Sequence, residues 1–334
     1  LRRVKLGIIG TGLAARDLHL QPLKQLADRF EIVALCNRTR SKAEAFRELV
    51  GGDPRITTEY RELLSWPEVE AVDIALPIVL NEPVTVDALR AGKHVFLEKP
   101  IGHTLEAGRH VVEEADRHPD LVLLVAENVR YEERFRTAHR LLGEGRIGRP
   151  MLVLAEVLSP ISPASPYTAT TWRMHPEHIG GYLSDGGVHQ VAALQVVAGP
   201  VREVQGLIAD MRSGDDQEDT MLANLRFESG AIGHLTYSVG VLQRDEPPIR
   251  IHGTRGSMAI HRRQIVIADG DGAEETLDVS NTPSAYVEEF RDFYRAVAEG
   301  TPPEVTPRQA LSDLAVIDAA FLSSSAGTTV QIEV

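Results

Sequence analysis

Gly10-Thr11-Gly12-Leu13-Ala14-Ala15 stands directly after the apolar run Lys5 to Ile9 and opens a helix-patterned stretch. In that setting Gly10 permits a tight turn, Gly12 lets a pyrophosphate approach the backbone, and Ala15 fills the third small position where helix meets strand. Unpaired N–H groups and the positive dipole end at the helix start favour phosphate. Gly10, Thr11, Gly12, Leu13 and Ala14 are therefore expected to bind a dinucleotide. The second strand runs into Cys36-Asn37-Arg38-Thr39-Arg40-Ser41. A carboxylate there would accept the ribose 2′-hydroxyl of NAD, and none is present, whereas a guanidinium can grip a 2′-phosphate with two parallel hydrogen bonds. Asn37, Arg38, Arg40 and Ser41 thus predict NADP in preference to NAD. Cys36 reads as a small buried hydrophobe, since no base stands near it in sequence to make it a nucleophile.

Gly92-Lys93-His94-Val95-Phe96-Leu97-Glu98-Lys99-Pro100 places Glu-Lys-Pro at a strand end, and Trp172-Arg173 is followed by Gly180-Gly181-Tyr182-Leu183-Ser184-Asp185-Gly186-Gly187-Val188-His189. These segments resemble the Glu-Lys-Pro and Gly-Gly-x-Leu-x-Asp-x-Gly-x-His signatures of the glucose-fructose oxidoreductase, inositol dehydrogenase and MocA (Gfo/Idh/MocA) family. With the glycine turn, the Gly253-Thr254-Arg255-Gly256 turn and the final helix pair, the likeness spans nearly the whole chain. The resemblance implies a nicotinamide-dependent oxidoreductase acting on a hydroxyl or ketone of a sugar, sugar derivative or cyclitol. It places Lys99 beside the nicotinamide, has Asp185 and His189 supplied by the second domain, and adds Pro77, Asn81, Glu98 and Lys99 to the cofactor-binding set.

The side-chain types agree with that chemistry. Moving a hydride to or from a carbinol carbon requires a proton to move at oxygen, and a positioned acid or base contributes about 10²- to 10⁴-fold. Histidine exchanges protons near neutral pH, which suits His189 to the transfer, while Lys99 can donate to the same oxygen and stabilise developing alkoxide charge. Either of the two fits the proton carrier. Asp185 precedes His189 by one helical turn and can orient the imidazole or bind a neighbouring hydroxyl. Lys99, Asp185 and His189 form the expected catalytic set, and Asn128, Tyr131, Trp172 and Arg173 join them in lining a polar substrate pocket. Three positions depart from the family pattern: Asn81 stands for a common His, Tyr182 for a frequent glycine, and Ala192 for an Asp. Two alternative readings are a non-catalytic dinucleotide or sugar sensor of the same fold and an NAD-dependent glycoside hydrolase, which would regenerate its cofactor.

No metal is expected. His175 and His178, with Asp185 and His189, supply zinc-type ligands, but Pro176 interrupts the first pair and no thiolate is available. Asp269-Gly270-Asp271-Gly272 lacks the closing Glu of a calcium loop and reads as a turn. The acidic run Asp215-Asp216-Gln217-Glu218-Asp219 reads as a solvated loop.

These groups must be positioned by two kinds of scaffold. Strands at Lys5 to Gly10, Ile32 to Cys36, Ala71 to Leu76, His94 to Glu98 and Leu121 to Ala126 alternate with helical stretches. That grammar predicts an α/β, doubly wound parallel sheet of Rossmann type over residues 1–126, the dinucleotide-binding domain. Beyond it, strands near Met151 to Leu158, Val201 to Met211, Thr220 to Phe227, Ala231 to Val239, Ile249 to Gly253 and Gln264 to Ala268 are mostly joined by turns such as Ser213-Gly214-Asp215 and Glu228-Ser229-Gly230. Residues 127–334 are expected to form an α+β substrate-binding and oligomerisation domain with a mainly antiparallel open sheet. Helices at Tyr131 to Glu144, Gly187 to Val197, Tyr286 to Ala298 and Pro307 to Ser324 are expected to cover one face of that sheet, leaving the other for a dimer or tetramer partner. Ser159 to Thr171, with three prolines, reads as a long surface loop.

The 334 residues accommodate two such cores. A formal charge of -13 opposes a nucleic-acid partner, and no apolar run approaches the roughly 20 residues of a membrane span. The basic start Leu1-Arg2-Arg3 leads into a stretch too interrupted for a signal-peptide core. One cysteine excludes an internal disulfide and fits a reducing, cytoplasmic setting.

Overall fold

Parallel strands buried on both faces read as nearly continuous apolar runs, and the N-terminal unit follows that rule. The computed structural model describes residues 2–333 apart from 163, 168, 169 and 213–216. The turn expected at Ser213-Gly214-Asp215, the first two acids of the Asp215 run, Leu1 of the basic start, and Pro163, Thr168 and Ala169 of the long loop lie outside the described residues. Six strands, β1 (Val4–Ile9), β2 (Phe30–Cys36), β3 (Arg55–Thr57), β4 (Ala71–Ile74), β5 (His94–Glu98) and β6 (Leu123–Ala126), pair in the order β3-β2-β1-β4-β5-β6, all parallel. The order reverses between β1 and β4. Ligands of open α/β sheets bind in the crevice outside the carboxyl ends of the strands at such a switch point. Only β3 goes beyond the sequence expectation, being a three-residue edge strand too short to show a period.

The C-terminal unit builds a nine-stranded sheet from β7 (Pro150–Leu158), β8 (Val201–Ala209), β9 (Thr220–Phe227), β10 (Ile232–Ser238), β11 (Ile249–Gly253), β12 (Gly256–Ile260), β13 (Gln264–Asp269), β14 (Glu274–Asp278) and β15 (Val330–Gln331). Its order is β14-β13-β12-β11-β7-β10-β9-β8-β15, and β7 with β10 is the one parallel pair among the described residues. Alternation sets the faces: Val153, Ala155 and Val157 of β7 are buried, together with Phe135 and Leu141 of the helix Glu133–Gly143, Val191 and Leu194 of the helix Gly187–Ala198, and Ile317 and Ala320 of the helix Pro307–Ala326. The opposite face carries half-exposed Leu152, Leu154, Leu222 and Thr236, with Leu207 63% and Ile232 50% exposed. Among the described residues no helix is long and apolar enough to cross a membrane.

The chain does not divide at a single cut near 126. One compact unit is Leu1–Asn128 with Ser284–Leu311, the other Val129–Pro283 with Ser312–Val334. The helix Ala285–Glu299, expected over the C-terminal sheet, belongs instead to the N-terminal unit. Phe290 stacks on Phe96 of β5 with ring centroids 4.1 Å apart, and Phe293 lies against Phe30 of β2. An amphipathic pattern states that a face will be buried; it does not say against which partner. Truncating Phe290, which has no exposed surface, to Ala is expected to cost about 3–5 kcal/mol. Hydrogen exchange should show protection lost in β1 and β5; loss confined to the nine-stranded sheet would contradict this placement.

Candidate functional site

The candidate residues of the N-terminal unit lie at the carboxyl ends of β1, β2 and β5. Gly10 has φ +100, and a Cβ on it would lie 2.2 Å from the Ala75 carbonyl oxygen, so only glycine admits this approach of β1 to the end of β4. A Cβ on Gly12 would meet nothing within 4 Å. That open backbone, the buried Thr11 hydroxyl with no partner among the described residues and the helical turn opening at Leu13 and Ala14 are what a pyrophosphate cradle requires. Ala15 is fully buried, as the third small position demands.

Past β2, the Asn37 side chain accepts the Thr39 N–H at 2.9 Å and shapes the turn. Arg40 and Ser41 begin the helix Arg40–Val50, and Arg40 donates to Glu44 one turn on at 3.0 Å. Arg38 is exposed and has no hydrogen-bond or ion-pair partner among the described residues, so of the two guanidinium groups it is the one available to a phosphate. Cys36 is buried; burial first, then the charges of Glu59 and Glu62, push its thiol up to about 12, which makes it the inert hydrophobe expected.

Lys99 directly follows β5 and is half-buried, and the Lys99–Pro100 bond is cis. Its neighbours are held from within the unit. The Glu98 carboxylate faces His19 at 2.9 Å through one oxygen and accepts the Lys99 N–H at 3.1 Å through the other. Asn81 is fully buried, its amide donating to the Glu98 and Pro100 carbonyls at 3.0 and 2.8 Å. Pro77 caps the short turn Ile78–Leu80 just before it. Asn81 and Glu98, expected to serve the cofactor, are thus both turned onto the segment that carries Lys99.

In the C-terminal unit, Asp185 ends the helical turn Tyr182–Asp185, and His189, half-buried, lies in the first turn of the helix Gly187–Ala198. Gly186 between them lets the Tyr237 hydroxyl come close, since a Cβ there would stand 2.1 Å from it. Burial first, then the charge of Asp185, push that phenol upward, so it stays protonated. Arg173 Nε donates to Asp185 Oδ2 at 2.7 Å, with the two side chains only 15% and 13% exposed. The guanidinium also lies 3.9 Å from the Trp172 ring centroid and 5.3 Å from that of Tyr167, a stacked charge that fixes the carboxylate's direction. His178 is buried, contacting the Gly181 carbonyl at 3.1 Å, and His175 is exposed. Tyr131 is buried beneath the Arg136 guanidinium, and Asn128 is half-buried.

Sequence reasoning missed His19, Asp73 and Glu289, all without exposed surface. Their signal was faint but present: a lone Asp inside the apolar strand Ala71–Ile74, a His between Leu18 and Leu20, and a Glu directly before Phe290 in a helix whose apolar positions include Val287 and Phe293.

Comparison with known proteins agrees with the architecture. Residues 4–126 match the family model described as "Oxidoreductase family, NAD-binding Rossmann fold", and residues 139–332 match "Oxidoreductase family, C-terminal alpha/beta domain". The chain is 32% identical to the uncharacterised protein YMR315W of Saccharomyces cerevisiae, over 99% of each. It is 27% identical to a 1,5-anhydro-D-fructose reductase of Ensifer adhaerens, over 98% of each. Among solved structures it is similar to an oxidoreductase of Thermotoga maritima, with TM-score 0.92 and 39% identity over 99% of both chains.

Replacing Arg38 by Ala is expected to raise the dissociation constant for NADP about ten- to a hundredfold, the loss of a charged hydrogen bond, and to leave that for NAD nearly unchanged. Parallel titrations check this; equal weakening of both would remove Arg38 from 2′-phosphate recognition.

Proposed function

The chain belongs to the Gfo/Idh/MocA oxidoreductase family and is an NAD(P)-dependent dehydrogenase or reductase, and from that premise we propose that its substrate is a hydroxyl or ketone of a sugar, sugar derivative or cyclitol, taken with NADP before NAD. The observation that carries the reading is Lys99 at the carboxyl end of β5, on a sheet whose first turn is open at Gly12. The similar 1,5-anhydro-D-fructose reductase supports a sugar-type substrate.

When bound, the nicotinamide supplies the hydride acceptor or donor. The chain's own groups then handle the substrate oxygen and its proton. Lys99 donates a hydrogen bond to that oxygen and stabilises negative charge developing on it, and His189 takes up or returns the proton. Asp185, fixed by Arg173, accepts from a neighbouring hydroxyl. Asn128, Tyr131 and Trp172 complete the polar lining. The unit holding the nine-stranded sheet binds substrate, and the sheet face bearing Leu207 and Ile232 meets a second copy. A cytoplasmic setting fits the single free cysteine.

A panel of polyols and ketones assayed with NADP and NAD in parallel tests the reading. Cofactor bound stoichiometrically with no change in the reduced-nicotinamide absorbance across the panel would replace the enzyme by a sensor. Lys99→Ala is expected to lower kcat about 10²- to 10⁴-fold with cofactor affinity retained; undiminished turnover would take Lys99 out of the mechanism. Light scattering should return a multiple of the 36.6 kDa chain mass, and a monomer at micromolar concentration would leave the sheet face without its partner.

A further inference from the structure

His19 ends a π-helical turn, Ala15–His19, in the helix that leaves the glycine turn, and it has no exposed surface. Both of its ring nitrogens face carboxylates: Nδ1 lies 2.9 Å from Asp73 Oδ2, and Nε2 lies 2.9 Å from Glu98 Oε1. An ionised carboxylate only accepts, so a ring bonded to both must carry a proton on each nitrogen. The arrangement is an imidazolium bridging two carboxylates, with Phe96 and Phe290 in T-shaped contact with the ring. Burial opposes that charge, but Asp73 and then Glu98 outweigh it and hold the imidazole well above the ordinary histidine range.

Glu289, also fully buried, completes the surroundings. Neither of its carboxyl oxygens has a hydrogen-bond partner among the described residues. Burial first, then the charge of Glu98, with smaller effects of Glu127 and Asp73 and an opposing one of His19, push it well above the carboxylate range. Burial without a partner thus disfavours the charged form of Glu289, the form that would compete with Glu98 for the imidazolium.

The contacts of this cluster converge on a single peptide. Glu98, held by His19, accepts the Lys99 N–H, and Asn81 ties down the carbonyls on either side, those of Glu98 and Pro100. We propose that His19 is a positioning residue for Lys99: through Glu98, and together with Asn81, it fixes the backbone from which the Lys99 ammonium reaches the reacting oxygen. This rests on the role given to Lys99 above. A buried ionic bridge is weak evidence of stability for its own sake, whereas a reacting group displaced by about 1 Å can lose about a hundredfold in rate.

His19→Gln leaves one donating amide where the imidazolium has two, so either Asp73 or Glu98 loses its donor. The double variant His19→Gln, Asp73→Asn restores the chain with two neutral amides in place of the ion pair, the Asn amide donating to the Gln carbonyl and the Gln amide to Glu98. The single variant is expected to lose about a hundredfold in kcat with KM for cofactor and substrate little changed, and the double variant to recover most of it. Parental kcat in the folded single variant, or a double variant no better than the single, overturns the proposal. Should His19→Gln fail to fold, Asn81→Ala, which leaves the imidazole in place, is expected to show the same kcat loss at unchanged KM, and full activity there overturns it equally. Crystal structures of parent and variant give an answer even if the parent turns over nothing on the panel, an outcome that would count against the redox reading alone. A displaced Lys99 backbone supports the positioning role, and an unmoved one sinks it.

Discussion

A carboxylate taken out of water at the end of β5 has to be met by donors, and that requirement organises the candidate residues of the N-terminal unit. Glu98 is 9% exposed, and an isolated ion there would cost several kcal/mol. The ring of His19 in the first helix and the N–H of Lys99 donate to it, and behind the ring Asp73 on β4 is the counter-charge to the imidazolium. Satisfying one buried oxygen pair therefore ties the first helix, β4 and β5 together just where the strand order reverses. The helix Ala285–Glu299 closes the cluster by stacking Phe290 on Phe96. Bringing a segment from so late in the sequence back to this unit removes the edges of His19 from water and deepens the desolvation that the ion bridge then answers.

The C-terminal unit solves a similar problem with a different donor. Asp185 is held by a guanidinium, not an imidazolium, and Arg173 is in turn flanked by the rings of Trp172 and Tyr167. Arginine stays charged and presents a planar face, so it can stack and hydrogen-bond at once. The glycine at 186 admits the Tyr237 hydroxyl close to this carboxylate, and the helix Gly187–Ala198, which carries His189, enters through Gln195 a buried network with Asp313 and Arg130. In both units a carboxylate largely removed from water is fixed by a cationic partner that is itself largely buried.

What was legible in the amino-acid order was whatever is decided within a turn or a few residues. The glycine spacing at Gly10 and Gly12, the absence of an acid after β2, the strand before Lys99 and the alternation of β7 to β10 all state local backbone and side-chain requirements, and the structure meets them. The strands that escaped notice, β3, β12, β14 and β15, are five residues or fewer. β14, with the sequence EETLD, shows no apolar alternation to read.

Tertiary structure decided the rest, because it depended on partners far apart in the chain. The apolar face of Ala285–Glu299 was evident, but its assignment to the N-terminal unit came only from the packing of Phe290 and Phe293. Asp73 and Glu98 lie 54 and 79 positions from His19, and Arg173, the ion-pair partner of Asp185, sits on a different helical turn. Residue types and near spacing determine which chemistry a chain can attempt. Which charges become neighbours, and which of them lose their water, follows only once the sheets and helices have closed around them.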